Sequence, residues 1–370
     1  MATTASIPRV GSTRSTFINV LAQSWSLLFL ILMVLFFTVA GQNFLSVRNL
    51  SSVLVTSTLV MLMAIGQTYV IITAGIDLSI GFTVGLASVL GATTMRNLAN
   101  GGMEPVLAIL IGSAAGLAAS LVPGLINGIL VARIKVPPFI ATLGMYGVIR
   151  GAAFLFTDGQ NVVGNLPANV RNILREIGNG SLLYYIPDLG FSWFTQPADL
   201  TNEQLRVVQK LLPYPVLIVA VVVVVFAFIL GRTQFGRHTY AIGGNQDAAL
   251  RSGINVKRHL IVIYMLSAFT AGIAGVLHIF RYTAGSPVAG ESALLDSVAA
   301  VVIGGTNLFG GEGRISGSVI GALIIAVLQT GLVNLGVDSI WQFIVVGVII
   351  IVAVLVNQFQ AYLERQQSHA

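Results

Sequence analysis

No cysteine occurs in the 370 residues, which excludes disulfide scaffolds, thiol catalysis and cysteine-ligated metals together. Histidine is scarce as well. His238, His259, His278 and His369 offer no clustered ligand spacing along the chain, so a zinc or redox centre is not expected and no metal ligands are assigned. Charge is the third shortage. Asp, Glu, Lys and Arg make up 9% of the chain, where a soluble domain carries about 25%, so the chain cannot clothe a water-facing surface. A cytosolic enzyme, a nucleic-acid-binding protein and a disordered chain are thereby excluded. The glycines of 304–311 lack the Gly-Lys-Ser/Thr ending of a phosphate-binding loop and do not form a dinucleotide fingerprint. Any ATP hydrolysis must come from a partner.

What is present is apolar: 55% hydrophobic residues and 40 Gly, with a mean hydropathy of +0.89. The apolar residues fall in runs of about 18–25, long enough to cross hydrocarbon as helices. The expected fold is all-α, a polytopic membrane protein of about ten spans at 24–40, 50–73, 78–95, 105–131, 138–156, 213–231, 260–280, 294–309, 315–335 and 340–358. Broken or re-entrant segments are expected at Gly75-Ile76-Asp77-Leu78-Ser79, between the second and third spans, and at the glycine-rich 304–317 between the eighth and ninth.

Basic residues set orientation because cytoplasmic loops hold an excess of them. With the N-terminus inside, the inner segments carry Arg9, Arg14, Arg133, Lys135, Arg232, Arg237, Arg251, Lys257, Arg258, Arg314 and Arg365, while short outer loops carry Arg48, Arg96 and Arg281. Both termini are then cytoplasmic, as segments 1–23 and 359–370, flanking a transmembrane domain over 24–358. Within it, 158–212 is an outer loop and 232–259 an inner one. The first apolar run lacks a small-x-small cleavage site and reads as a retained span.

In the outer loop, Thr201 is placed to cap a short helix; the loop is either a docking surface or a tolerated insertion. The inner loop has five basic residues (Arg232, Arg237, Arg251, Lys257, Arg258) against Asp247 alone. Asp247-Ala248-Ala249-Leu250 predicts a short helix that Gly253 stops in a left-handed conformation. Such a small-faced knob can seat in a groove of a soluble partner, or be an ordinary connection.

Asp247-Ala248-Ala249, three residues, then Gly253 resembles the coupling motif of ABC importer permeases. With Gly75-Ile76-Asp77-Leu78-Ser79-Ile80-Gly81, Pro137-Pro138-Phe139-Ile140-Ala141-Thr142-Leu143-Gly144-Met145, Gly243-Gly244-Asn245, Ser252-Gly253-Ile254 and Gly304-Gly305-Thr306-Asn307-Leu308-Phe309-Gly310-Gly311, the chain resembles the ribose/xylose/arabinose-type monosaccharide permeases. The resemblance implies a homodimeric permease with about ten helices per subunit, a cytoplasmic ABC ATPase that binds ATP and magnesium, and an extracytoplasmic sugar-binding protein, in a bacterial inner membrane. It implies no cofactor in this chain, and assigns Asn245, Asp247, Ala248, Ala249, Ser252, Gly253 and Ile254 to ATPase coupling. The sequence departs from the pattern in its long 158–212 segment and in having Asp247 where importers generally prefer Glu.

Ionisable or amide side chains at membrane depth are candidate sites, since they cost several kcal/mol unless they face protein or water. Gln67, Asp77, Ser79, Asn127, Thr142, Asp296 and Asn307 are candidates for an uncharged solute path, against a structural reading as helix caps for the two acids and interhelical bridges for the rest. Arg150 reads as a snorkelling cation. Arg48, Arg96, Arg171, Arg175 and Arg281 are candidate docking cations for the binding protein. Small-x-x-small spacings at Gly112–Gly116 and Gly317–Gly321 predict close helix contacts. Thr73-Ala74-Gly75 and Thr283-Ala284-Gly285, each ahead of an acid–Ser element, point to an inverted repeat of five plus five. Other readings are a nucleoside or branched-chain amino acid permease, an ion-coupled secondary transporter, and, with least support, a membrane enzyme.

Overall fold

The computed structural model describes residues 25–160, 165–187, 189–197, 200–338, 340–349, 351–352 and 355. The segments 1–23 and 359–370 and the end of the tenth expected span lie outside the described residues. The helices are α1 (Trp25–Ala40), α2 (Val47–Ile72), α3 (Ile80–Asn100), α4 (Pro105–Ile129) and α5 (Pro138–Leu155). An insertion follows, with α6 (Ala168–Asn179), β1 (Leu183–Ile186), β2 (Gly190–Trp193), α7 (Asn202–Val207) and β3 (Gln209–Lys210). The chain continues through α8 (Tyr214–Arg232), α9 (Gln234–Gly244), α10 (Gln246–Arg251), α11 (Val256–Tyr282), α12 (Ala293–Ile303), α13 (Ile315–Asn334) and α14 (Ile340–Ile349).

Six helices among the described residues are long and apolar enough to cross a membrane: α2, α4 extended to Ile134, α5, α8, α11 and α13. The expected third span, α3, has 21 residues but is rich in Gly, Ala, Ser and Thr. It is buried by protein along most of its length, so it need not match the polarity of lipid. The expected eighth span is cut short. Helix α12 has 11 residues, or about 16 Å, half of the ~30 Å hydrocarbon thickness. Its chain breaks at Gly304 and resumes as α13 after the glycine-rich loop.

Local signals place the ends. Glu104 caps α4 by accepting the backbone N–H groups of Val106 and Leu107, with Pro105 in the first turn. A π-helical turn, Leu130–Ile134, closes α4 at Lys135 in the left-handed region, and Pro138 opens α5. Close packing follows from small residues. A Cβ on Gly116 would lie 2.5 Å from the Ala87 carbonyl oxygen of α3, and one on Gly321 would lie 1.9 Å from that of Ala300 in α12. Around this frame, α11 packs on α2, α3 and α4, while α13 packs on α2, α12 and α1.

The insertion departs from the all-α expectation. It holds a three-stranded antiparallel sheet in the order β2-β1-β3. The Leu-Tyr-Tyr-Ile run of β1 is suited to a pleated surface and alternates half-buried with buried positions. Thr201 does cap α7, forming a capping box with Gln204.

Candidate functional site

Between α2 and α3 the chain unwinds, with Ala74 in the left-handed region at φ 59°. The backbone groups this frees are met by side chains. Gln67 Nε2 donates to the Asp77 carbonyl at 2.6 Å, and the Asp77 N–H donates back to Gln67 Oε1 at 3.3 Å. One Asp77 carboxylate oxygen accepts from the Ser79 N–H at 3.0 Å and the Ser79 hydroxyl at 2.6 Å; the other accepts from Ser267 of α11 at 2.9 Å. Asn127 of α4 donates to Ser79 Oγ at 2.9 Å, and Thr142 of α5 to the Ile76 carbonyl at 3.0 Å. All these side chains are buried. Five candidate path residues therefore sit together as a knot joining α2, α3, α4, α5 and α11.

Asp296 is elsewhere. It lies in the first turn of α12 and accepts from Gln329 Nε2 of α13 at 2.9 Å. Both line an open cavity of about 940 Å³ between α2, α11, α12, α13 and α14, whose lining also includes Thr56, His278, Glu291 and Gln342. The cavity occupies the half of the molecule that carries the insertion. A few convergent polar groups on an apolar wall are the composition of a small-molecule site. Asn307 belongs to neither group. It is exposed and folds the glycine-rich loop, its Oδ1 accepting the Phe309 N–H at 3.0 Å.

At the opposite end, α10 is the six-residue helix within 232–259. Asn245 caps it through the Ala248 N–H at 2.9 Å, Ser252 Oγ donates to the Ala248 carbonyl, and Gly253 follows at φ 85°. Ala249 is buried among Ile242, Val256 and Leu260, whereas Asp247, Ala248 and Leu250 are exposed. The preceding α9 is bound into the frame: a Cβ on Gly243 would lie 1.8 Å from the Ile72 carbonyl oxygen at the end of α2. That carbonyl also accepts the Gly311 N–H at 2.8 Å, and Tyr240 donates to the Gly313 carbonyl at 2.7 Å. The α9–α10 unit, α2 and the glycine-rich loop thus meet at one point.

The family described as "branched-chain amino acid transport system / permease component" matches residues 49–354. The chain belongs to this permease family. It is 37% identical over 329 residues to the ribose import permease protein RbsC of Bacillus subtilis, covering 89% of this chain and 90% of that one. It is 37% identical to the xylose transport system permease protein XylH of Haemophilus influenzae, over 87% and 92% of the two chains, and 35% identical to the fructose import permease protein FrcC of Rhizobium meliloti, over 88% and 82%.

In this integral membrane permease the arginines expected to be docking cations divide. Arg48 and Arg281 come together with Arg206 and Lys210 around a pocket of about 590 Å³, and among the described residues none of those lining it is a carboxylate. Arg281 also lines the large cavity and donates to the Val55 carbonyl at 3.2 Å. Arg171 and Arg175 are exposed along α6, and Arg96 is half-buried beside Asn97 at the end of α3. Ser267, Gln329, Arg206 and Lys210 were not singled out in the sequence. Gln329, an amide within an apolar run, carries a signal there; a serine in a helix carries none, and Arg206 and Lys210 carry the same one as Arg171 and Arg175, cations of the same long loop.

Proposed function

We propose that the chain is the translocation subunit of an ATP-driven, binding-protein-dependent importer of a monosaccharide. The observation that carries this reading is the cavity with the Asp296–Gln329 pair in its wall, whose amides, hydroxyls and carboxylate suit the hydroxyls of a sugar. The names of the ribose, xylose and fructose permeases support the same solute class. Two copies of the chain, a cytoplasmic ABC ATPase holding ATP and magnesium, and an extracytoplasmic sugar-binding protein complete the machine, in an inner membrane with both termini cytoplasmic.

In this reading the insertion faces outward and acidic side chains of the binding protein seat among Arg48, Arg206, Lys210 and Arg281. The Asp77 knot and the Ile72–Gly243–Gly311 contact close the inner half. The ATPase grips the exposed face of α10, and its movement reaches α2 and the glycine-rich loop through α9, opening the inner half as the outer cavity closes. Alternating access of this kind requires different contacts in the two states. The five-plus-five inverted repeat remains part of the proposal, supported by the left-handed residues Ala74 and Thr283 that end α2 and α11.

The description of the family favours a second solute class, branched-chain amino acids. The test is uptake into proteoliposomes containing this chain, its ATPase and its binding protein, with a panel of labelled monosaccharides, leucine and a nucleoside. Accumulation of a sugar that requires all three proteins and ATP is expected. Accumulation of leucine or the nucleoside instead would overturn the solute class, and uptake by this chain alone under an ion gradient would overturn the importer.

A further inference from the structure

We propose that the aromatic face of the insertion's sheet seats in the lipid leaflet on its side of the membrane. Strand register puts Leu183 opposite Trp193 and Tyr185 opposite Phe191, so these four share one face. The Tyr185 and Phe191 rings lie 5.2 Å apart between centroids. The face is open: Phe191 is 66% exposed and Trp193 59%, with the adjoining Phe194 at 61%. Tyr184 and Ile186, on the other face, are buried, and Lys210 pairs opposite Tyr184. The sheet is therefore amphipathic, with its basic side toward the pocket and an uncharged aromatic side free.

The position of this face relative to the bilayer follows from α8. With 19 residues, α8 spans about 28 Å, barely the ~30 Å hydrocarbon core, so Tyr214 in its first turn lies at the boundary. The Tyr214 hydroxyl donates to the Phe194 carbonyl at 2.9 Å, and the Leu182 N–H to the Leu212 carbonyl at 2.8 Å. These bonds hold the sheet at the rim of α8, whose Val221, Val224 and Phe228 are more than 60% exposed, as lipid-facing side chains of a span would be. Trp and Tyr at that depth form the belt that anchors proteins at the interface, and Phe joins Trp on the apolar face of segments that lie in it. Seated so, the sheet also steadies the outer end of α11, against which α6 packs closely through Gly178 and to which Asn179 donates at the Arg281 carbonyl, 2.9 Å away. The inference rests on α8 being a span and not on the solute.

The test uses full-length protein with Trp25→Phe and Trp341→Phe, leaving Trp193 as the sole tryptophan, in nanodiscs of phosphatidylcholine brominated either near the headgroup or near the chain ends. Trp193 emission should fall most with the shallow bromines and resist aqueous iodide. Quenching by iodide with no effect of either lipid would overturn the proposal. So would iodide access that disappears only when the binding protein is added, which would give the face to that partner, or insensitivity to all quenchers, which would give it to a second copy. A control chain with Trp193→Phe added and Val224→Trp in α8 should respond to the deep bromines. If that control fails, the spanning reading of α8 fails, and the proposal with it.

Discussion

Asp77, in the break between two apolar helices, is held by three donors from Ser79 and Ser267. An ionisable group there is tolerated when protein replaces its hydration. Ser267→Ala removes the only one of those donors that comes from another helix, at a cost of about 1–2 kcal/mol. A lower thermal midpoint in detergent, without loss of membrane insertion, is the expected result. Asp296 differs because it is half-buried on the cavity wall with Gln329 as its hydrogen-bonding partner there. Asp296→Asn should leave the midpoint nearly unchanged and lower sugar uptake roughly tenfold, the worth of one charge-assisted hydrogen bond of about 1.5 kcal/mol. Unchanged uptake would remove Asp296 from the path.

Helix α10, with six residues, is far below the length at which a helix is stable alone. Its caps, Asn245 and Gly253, and the burial of Ala249 hold it. Asn245→Ala costs roughly 1 kcal/mol by loss of the cap, and Gly253→Ala adds a comparable local strain because its φ is 85°. Both should loosen α10 without moving the global melting transition, and the permease-stimulated ATPase rate of the reconstituted complex should fall. The α9–α2 contact is stricter. Gly243→Val places side-chain atoms on the Ile72 carbonyl, so uptake should be lost while the chain still inserts; normal uptake would show that this junction carries no motion.

The two ends of the molecule are built differently. One is a tight knot under a small capped helix, and the other an open cavity beside a basic pocket under a folded insertion. In the proposed orientation the basic pocket meets the binding protein, and charge reversal by Arg48→Glu with Arg206→Glu should slow that association strongly at low salt and less at high salt. Burial lowers the Lys210 pKa below the usual lysine value. As pH rises, Lys210 loses its charge before an ordinary lysine does, and the affinity it supports declines with it. Lys210→Arg, which stays charged, should abolish that alkaline decline in a titration of binding against pH.

Apolar run lengths and the scarcity of charge decided, from the sequence alone, that this protein lives in a membrane as helices, because hydrocarbon tolerates little else. The short helix before Gly253, the cap at Thr201 and the close contacts at Gly116 and Gly321 were also local matters, set by propensity and side-chain size. Tertiary structure decided what local pattern does not encode. It divided the polar candidates into a knot around Asp77, which Ser267 completes from 190 residues away, and a cavity wall around Asp296. It shortened α12 to half a span, since a helix enclosed by protein can stop where side chains and neighbouring backbone satisfy its end. It also gathered Arg48, Arg206, Lys210 and Arg281 from three places in the chain into one pocket, a juxtaposition made by the folding of the insertion onto α2 and α11.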